Sequence, residues 1–278
     1  MGLADITRRI PHFKGKFRLV RFLFKSKLKR EKDVVISGRD GLVYKLPNLV
    51  ENIGFEIFAD GEYEPDTIRL ITDKIPAQGV LIDIGANIGS IAVPVCRKRP
   101  DIKAVCIEAS PRVFSYLESN ISLNGLTNCL PVNKIVSDKD GEEVDFFSPE
   151  ELFGKGSTAP VFTSVPEKAK TTTLDQLLVQ MNITEAHFIK IDIEGYEYFA
   201  FKGGEGLLSA ANAPDILFEF LDWAEGLVKG IVPGQAQELL LQYGYRLYAI
   251  DKNSTLKKID GFMKKGEAMI FATKKDIK

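Results

Sequence analysis

The most constraining feature of this chain is the run at residues 80–89, Val-Leu-Ile-Asp-Ile-Gly-Ala-Asn-Ile-Gly. An apolar run that passes an acid and then two glycines predicts a buried strand, a tight turn and a helix. Gly85 and Gly89 permit the turn and let a ligand approach where a Cβ would block it. The following helix, expected over residues 88–98, presents free N–H groups and a positive dipole end. The run therefore predicts a ligand site at the end of a strand.

The spacing of this turn indicates which ligand it suits. The pattern D-x-G-x-N-x-G, from Asp83 through Asn87 to Gly89, differs from the G-x-G-x-x-G of dinucleotide sites. The acid would repel a pyrophosphate, but it suits an ammonium group such as that of S-adenosylmethionine (SAM). A second apolar run, residues 103–107, ends at Glu108, 19 residues beyond Gly89. An acid at that strand end can accept both hydroxyls of an adenosine ribose.

The remainder of the chain alternates strands with helices, which favours a mostly parallel sheet covered on both faces. The segment 251–267 is too polar for a crossover helix, so the last two strands should pair antiparallel. We therefore predict an α/β, Rossmann-like class I methyltransferase fold with a mostly parallel seven-stranded sheet and an antiparallel last strand. Further strands are expected at 130–136, 187–193, 216–220, 245–250 and 268–273. Helices are expected at 197–208 and 234–243.

Three regions are predicted along the chain. Residues 1–33 form a basic amphipathic arm with 11 Lys and Arg against three acids, a net charge of +8, whereas the other 245 residues sum to −9. Residues 34–76 form a β-hairpin and a helix, because an Asp-Gly pair separates two apolar runs. Residues 77–278 form the catalytic domain. The arm suits contact with an anionic membrane surface or, equally, packing on the acidic domain.

The three cysteines and the absence of sorting signals indicate the cellular compartment in which the protein is expected. Cys96, Cys106 and Cys129 lack metal-ligand spacing, and in apolar surroundings they indicate reduced core thiols. No apolar run reaches the length of a membrane span, and the N-terminus lacks a signal-peptide pattern. We expect a cytoplasmic protein, peripheral at the inner membrane surface if the arm binds lipid, with no nucleic-acid partner.

Several motifs together resemble the FkbM family of SAM-dependent methyltransferases over residues 50–250. One departure is Ala109-Ser110-Pro111, where the family usually has Pro-x-Pro. The matching stretches are 61–65, 83–89, 136–138, 173–175, 189–197 (Ile-Lys-Ile-Asp-Ile-Glu-Gly-Tyr-Glu), 202–204 and 214–219.

The resemblance implies methyl transfer from SAM to a hydroxyl, often on a glycan or another natural product. Ligands on open α/β sheets bind beyond the carboxyl ends of the strands, where these motifs fall. Asp138 is open to two interpretations, a hydrogen bond to the adenine amine or a cap on the following turn. The expected cofactor-binding residues are Glu64, Asp83, Gly85, Asn87, Gly89, Glu108, Ala109, Ser137, Asp138 and Asp192.

Catalysis is expected to rest on carboxylates, since neither histidine is well placed. His187 begins its strand at the opposite rim, and His12 lies in the basic arm. Asp192 and Glu194 alternate with apolar residues, so both point to one sheet face, and either is a candidate general base. Glu219, at the next strand end, could orient the acceptor. Alternatively, the three acids could bind Mg²⁺ or Mn²⁺; we expect no metal site.

Two further functions remain open from the sequence. An NAD(P)-dependent oxidoreductase could use the same βαβ unit, although the dinucleotide fingerprint is missing. A non-catalytic SAM-binding scaffold or regulatory domain could dock a partner through its basic arm. Titration with SAM and with NAD separates the first alternative from methyl transfer, and turnover of SAM separates the second.

Overall fold

The computed structural model describes residues 3–9, 11, 13–158, 160–251 and 255–277. The N-terminal part contains α1 (Leu3–Arg9), α2 (Lys16–Arg30), β1 (Lys32–Ser37), β2 (Val43–Asn48), α3 (Asn52–Asp60) and α4 (Pro65–Lys74). There follow β3 (Val80–Ile84), α5 (Ala92–Lys98), β4 (Lys103–Glu108), α6 (Pro111–Leu123), β5 (Cys129–Asn133), β6 (Ile135–Val136), β7 (Glu143–Phe146) and β8 (Glu167–Thr172). The remaining elements are α7 (Leu174–Gln180), β9 (Phe188–Ile191), α8 (Glu197–Lys202), α9 (Glu205–Ser209), β10 (Asp215–Leu221), α10 (Asp222–Glu225), α11 (Gln235–Gln242), β11 (Arg246–Ile250), β12 (Leu256–Lys258) and β13 (Glu267–Thr273).

The main sheet has the strand order β12-β11-β13-β10-β9-β3-β4-β5 within the described residues. Strands β10, β9, β3, β4 and β5 run parallel, and β13 is antiparallel to both β10 and β11. This topology confirms the predicted Rossmann-like methyltransferase fold with its antiparallel final strand. The sheet also gains an eighth strand, since the polar stretch before β13 adds β12 antiparallel to β11.

The register of the central strands brings the predicted site residues together. On β3 and β9, Asp83 lies opposite Lys190 and Ile84 opposite Ile191. Every residue of β9 is buried, as expected for a strand covered by helices on both faces. Because β4, β3, β9 and β10 run parallel, their carboxyl ends open at one rim of the sheet. The residues that follow these strands therefore surround a common space.

Two predicted elements are divided in the structure. The strand expected over 130–136 splits at Lys134, and β6 leaves the main sheet to pair with β8, which also pairs with β7. The helix expected over 197–208 breaks at Gly203 and Gly204 into α8 and α9. A Cβ on Gly203 would lie 1.9 Å from the Ser137 carbonyl oxygen, so the chain passes too close for a side chain. The local periodicity of the sequence carries no information about the pairing of β6 with β8 or about the contact of Gly203 with Ser137.

The basic arm forms two helices, and α2 packs one face against α3. Phe17 meets Phe55 and Phe24 meets Phe58, both edge to face, at ring-centroid distances of 5.6 and 6.0 Å. Lys16 is buried, and its Nζ lies 2.6 Å from Asp60 Oδ1. Apolar packing and an ion pair therefore hold this face on the protein. His12 lies outside the described residues.

The three cysteines are free and buried, which confirms the predicted core thiols. Cys96 lies on α5, Cys106 on β4 and Cys129 at the start of β5. The Sγ atoms of Cys106 and Cys129 are 3.2 Å apart on neighbouring strands. All three pack in the apolar core beneath the first βαβ unit.

Candidate active site

A cavity opens at the carboxyl ends of the parallel strands. It encloses about 1170 Å³ of space free of atoms, part of which is open to solvent. The predicted site residues that line it are Glu64, Gly85, Asn87, Glu108, Ala109, Asp192, Glu194 and Glu219. Four others, Asp83, Gly89, Ser137 and Asp138, lie outside its lining.

Glu108 is held rigidly at one end of this cavity. Its Oε2 accepts a hydrogen bond from the backbone N–H of Asn87, and its Oε1 accepts one from Ser110, both at 2.9 Å. Burial raises the pKa of Glu108 to about 7, although the two N–H donors oppose this shift. Each carboxylate oxygen can accept a second hydrogen bond. The side chain is thus oriented to accept from two neighbouring hydroxyls of a ligand.

The glycine turn has a different physical basis from the one predicted. Gly85 lines the cavity with φ +77°, but a Cβ there would lie 2.0 Å from the Asp192 carbonyl oxygen. A Cβ on Gly89 would contact Val93 and Leu117, so that glycine serves helix packing. The helix itself begins at Ala92, four residues later than predicted. The turn thus brings the backbones after β3 and β9 together at the base of the cavity.

Because of this contact, Gly85→Ala tests the stability of the fold rather than the space available to a ligand. We expect the substitution to lower the free energy of unfolding by about 1–3 kcal/mol beyond its backbone strain, because the Cβ collides with Asp192. Gly125→Ala is the matched control, because Gly125 has φ +60° and a Cβ there would meet no atom within 4 Å. That variant should lose only about 1–2 kcal/mol of stability, from the left-handed backbone conformation alone. Chemical denaturation of both variants measures the difference. Equal losses would contradict the collision.

Lys190 lines the cavity and forms a buried ionic group with two acids. Its Nζ lies 3.8 Å from Asp83 Oδ1 and 3.6 Å from Asp192 Oδ2. Burial alone would lower the pKa of Lys190, but the Asp192 and Asp83 carboxylates raise it above its usual value. Burial raises the pKa of Asp83 to about 6, against the effect of Lys190. Asp83 is fully buried and lies outside the cavity lining, beside Lys190.

The other end of the cavity is rich in carboxylates. Glu194 lies in left-handed conformation at φ +53°, and its Oε1 is 2.6 Å from Lys155 Nζ. Burial raises the pKa of Glu194, and the hydrogen bond from Lys155 opposes that shift. Glu64, also left-handed at φ +44°, approaches from the segment before α4. Strained backbone of this kind is found at functional sites and ligand clamps.

Glu219 differs from its neighbours in having no cation bound to it. Asp192 lies beside Lys190 and Glu194 beside Lys155, whereas no hydrogen bond or ion pair to Glu219 is found among the described residues. Burial, together with the charges of Asp192 and Glu194, raises the pKa of Glu219 to about 7. Such a group exchanges a proton readily near neutral pH.

Asp138, for which an adenine contact was one of two interpretations, lies outside the cavity lining. Asp138 Oδ2 accepts a hydrogen bond from Lys202 Nζ at 2.7 Å, and Ser137 Oγ lies 3.1 Å from the Tyr196 hydroxyl. The neighbouring Ile135 and Val136 line the cavity in their place. The split of the predicted third strand turns Ser137 and Asp138 toward α8.

Sequence reasoning missed two lysines of this site. Lys190 lies within a quoted motif, where its alternation with isoleucines could have indicated a buried cation. Lys155 comes from a loop, residues 147–166 apart from 159, that has no readable pattern. His187 accepts from the Val80 N–H at the start of β9, which confirms its place at the opposite rim. Within the described residues, no group of three or more His, Cys, Asp or Glu could hold a metal.

The fold and the position of the cavity define the class, a Rossmann-like protein of the methyltransferase type with its cleft at the carboxyl ends of the strands. Residues 83–247, more than half of the chain, match the methyltransferase FkbM domain. The chain therefore belongs to the FkbM methyltransferase family, which confirms the resemblance of its motifs.

Known proteins resemble this chain in sequence and in structure. The hexuronic acid methyltransferase AglP of Haloferax volcanii is 29% identical over 149 residues, 54% of this chain, and the match spans 59% of AglP. The precorrin-6y C5,15-methyltransferase of Geobacter metallireducens has a TM-score of 0.43 at 13% identity, covering 77% of this chain and 93% of its own. TYW2 of P. horikoshii, in complex with MeSAdo, has a TM-score of 0.43 at 14% identity, covering 93% and 83%.

Proposed function

We propose that this protein transfers the methyl group of SAM to a hydroxyl of a glycan or another natural product. The observation that carries the proposal is one cavity that joins a rigidly held acid, Glu108, to a carboxylate group formed by Asp192, Glu194 and Glu219. Membership of the FkbM family supports the same reaction class. The hexuronic acid named for AglP supports a glycan as acceptor.

The residues of the cofactor end fit SAM. Glu108 offers two fixed oxygens to the ribose hydroxyls, and Ile135 and Val136 offer an apolar surface to the adenine. Asp192 offers a carboxylate to the ammonium group. When SAM is bound, its sulfonium supplies an activated methyl group. Holding the acceptor oxygen in line with that methyl group contributes much of the rate, as in other displacement reactions.

The carboxylates provide a destination for the proton of the hydroxyl. Glu219 is the best candidate for the general base, because no ion pair or hydrogen bond to it is found among the described residues and its pKa is about 7. Asp192 and Glu194 are each paired with a lysine, so we assign them to orienting the acceptor and the cofactor. This division reverses the roles expected from the sequence, where Asp192 or Glu194 was the candidate base.

One experiment tests the reaction class. The protein is incubated with methyl-labelled SAM and a fractionated extract of its host, and the labelled product is identified. Calorimetric titrations with SAM and with NAD accompany it, and we expect binding of SAM alone. Binding of NAD alone would favour the oxidoreductase, and binding of SAM without any labelled product would favour the scaffold. A chelator should leave turnover unchanged, whereas its loss would favour the metal mechanism.

A second proposal concerns the exposed face of α2, which we propose lies on an anionic membrane surface. Phe22 is 77% exposed, and Leu23 beside it is also exposed. The cations Arg18, Lys25 and Lys29 lie on the same exposed face. Apolar side chains among cations are the composition of interfacial helices. No helix in the described part of the chain is long and apolar enough to cross a membrane.

Phe22→Glu tests this contact. We expect it to lower the partition coefficient onto anionic vesicles at least about tenfold, because burying a phenylalanine contributes about 1.5–3 kcal/mol. Val179→Glu is the matched control, since Val179 is 69% exposed on α7 and the charge change is identical. Co-sedimentation at low salt measures both variants. Equal sedimentation of the wild type and both variants would rule out the contact.

A further inference from the structure

At the acceptor end of the cavity, carboxylate oxygens lack hydrogen-bond partners among the described residues. This observation bears on the substrate class, an inference that rests on the proposed function. The side chain of Glu194 is only 5% exposed, and its Oε2 has no hydrogen-bond partner among the described residues. Glu219 lines the same cavity, and no hydrogen bond to its side chain is found among the described residues. A buried carboxylate oxygen without a donor is costly, so a ligand is expected to supply the missing donors.

Among the described residues, each cation that lines the acceptor end of the cavity already forms an ion pair with an acid. Three lysines are the cations among the described residues that line the cavity. Lys155 is paired with Glu194, and Lys190 with Asp83 and Asp192. Lys134 lies on the link between β5 and β6, beside the residue opposite Glu108, and so belongs to the cofactor end. An acceptor carboxylate would meet three acids without an available partner.

An aromatic pair outside the cavity lining belongs to two chain segments that also carry residues of the acidic end. Phe162 and Trp223 meet edge to face with ring centroids 6.1 Å apart, and they are 36% and 44% exposed. Trp223 follows the strand that carries Glu219. The next residue, Ala224, has its backbone within 2.5 Å of where a Cβ on Gly195 would lie, beside Glu194. Phe162 belongs to the loop that carries Lys155, whose Nζ is paired with Glu194, so each ring lies on a segment linked to one of the acids.

We propose that these acids and the Phe162–Trp223 pair form a subsite for a neutral sugar ring, and that it excludes hexuronic acids. Sugar hydroxyls donate the hydrogen bonds that Glu194 and Glu219 lack. The C–H faces of the ring pack on the exposed aromatic rings, which offer apolar area beside polar groups. The acceptor therefore differs in charge from the hexuronic acid for which AglP is named.

The single tryptophan of the chain makes the subsite directly observable. The protein is saturated with S-adenosylhomocysteine, and binding of that compound is confirmed by calorimetry. Trp223 emission is then titrated with methyl glycosides of common neutral hexoses and pentoses, and with glucuronate at matched ionic strength. We expect at least one neutral glycoside to change the emission saturably in the millimolar range, and glucuronate to leave it unchanged.

Phe162→Ala identifies the surface that binds. It should weaken binding of the neutral glycoside roughly two- to tenfold, the range of an aromatic contact of about 0.5–1.5 kcal/mol. Val232→Ala removes an exposed apolar side chain elsewhere and should leave binding unchanged. Binding of glucuronate as tight as that of the neutral sugars, or no response to any glycoside, overturns the inference. Retained calorimetric binding of S-adenosylhomocysteine would still support the cofactor assignment.

Discussion

Glu219→Gln is expected to lower turnover by about 10²- to 10⁴-fold, the usual cost of losing a general base. Glutamine keeps the size of the side chain and its hydrogen-bonding reach but cannot take a proton. SAM affinity should stay within about twofold of wild type, because Glu219 lies at the opposite end of the cavity from Glu108. Single-turnover rates and calorimetric titration of the same preparation measure both quantities.

The pH dependence of the turnover rate shows whether Glu219 acts as a general base or only supports the structure. The base must be unprotonated, so the wild-type rate should rise with pH through about 7, the raised pKa of Glu219. The residual rate of Glu219→Gln should lose that dependence. Glu225→Gln is the matched control, because burial raises its pKa to about 7 as well, yet Glu225 lies outside the cavity. Near-wild-type turnover in Glu219→Gln would reject the base, and an unchanged pH profile would assign the titration elsewhere.

Glu108→Ala is expected to weaken SAM binding at least about tenfold. A hydrogen bond to a charged group contributes about 1.5–3 kcal/mol, and the substitution also releases the N–H groups of Asn87 and Ser110. Thermal melting shows whether the variant remains folded. Calorimetry on the folded fraction gives the affinity. Unchanged affinity would remove Glu108 from the cofactor site.

Titrating two ligands into each of two proteins separates the loss of the ribose contact from any loosening of the glycine turn. Wild type and Glu108→Ala are each titrated with 5′-methylthioadenosine and with its 2′-deoxy analogue. The wild type should discriminate between them, whereas the variant should bind both alike, because the accepting carboxylate is gone. Equal discrimination by both proteins would show that the hydroxyl binds another residue.

The sequence alone identified the strand, turn and acid at residues 80–89, the acid at Glu108, the alternation of strands and helices, and the family. These features are encoded locally, since a glycine at positive φ, an apolar run or a residue at a strand end is defined by its neighbours in the chain. Once the strands and helices are known, only a few topologies remain for the order of the parallel strands. For that reason eight of the predicted site residues line one cavity.

Only the tertiary structure decided how these residues are used. Lys155 reaches Glu194 from a loop 39 residues earlier, and this ion pair distinguishes Glu194 from Glu219, which has no ion pair among the described residues. The break of the third strand removes Asp138 from the cavity, and Gly85 proves to face the Asp192 backbone rather than only a ligand. Each outcome depends on contacts between distant segments and on burial, which set both the free lone pairs and the pKa of every acid.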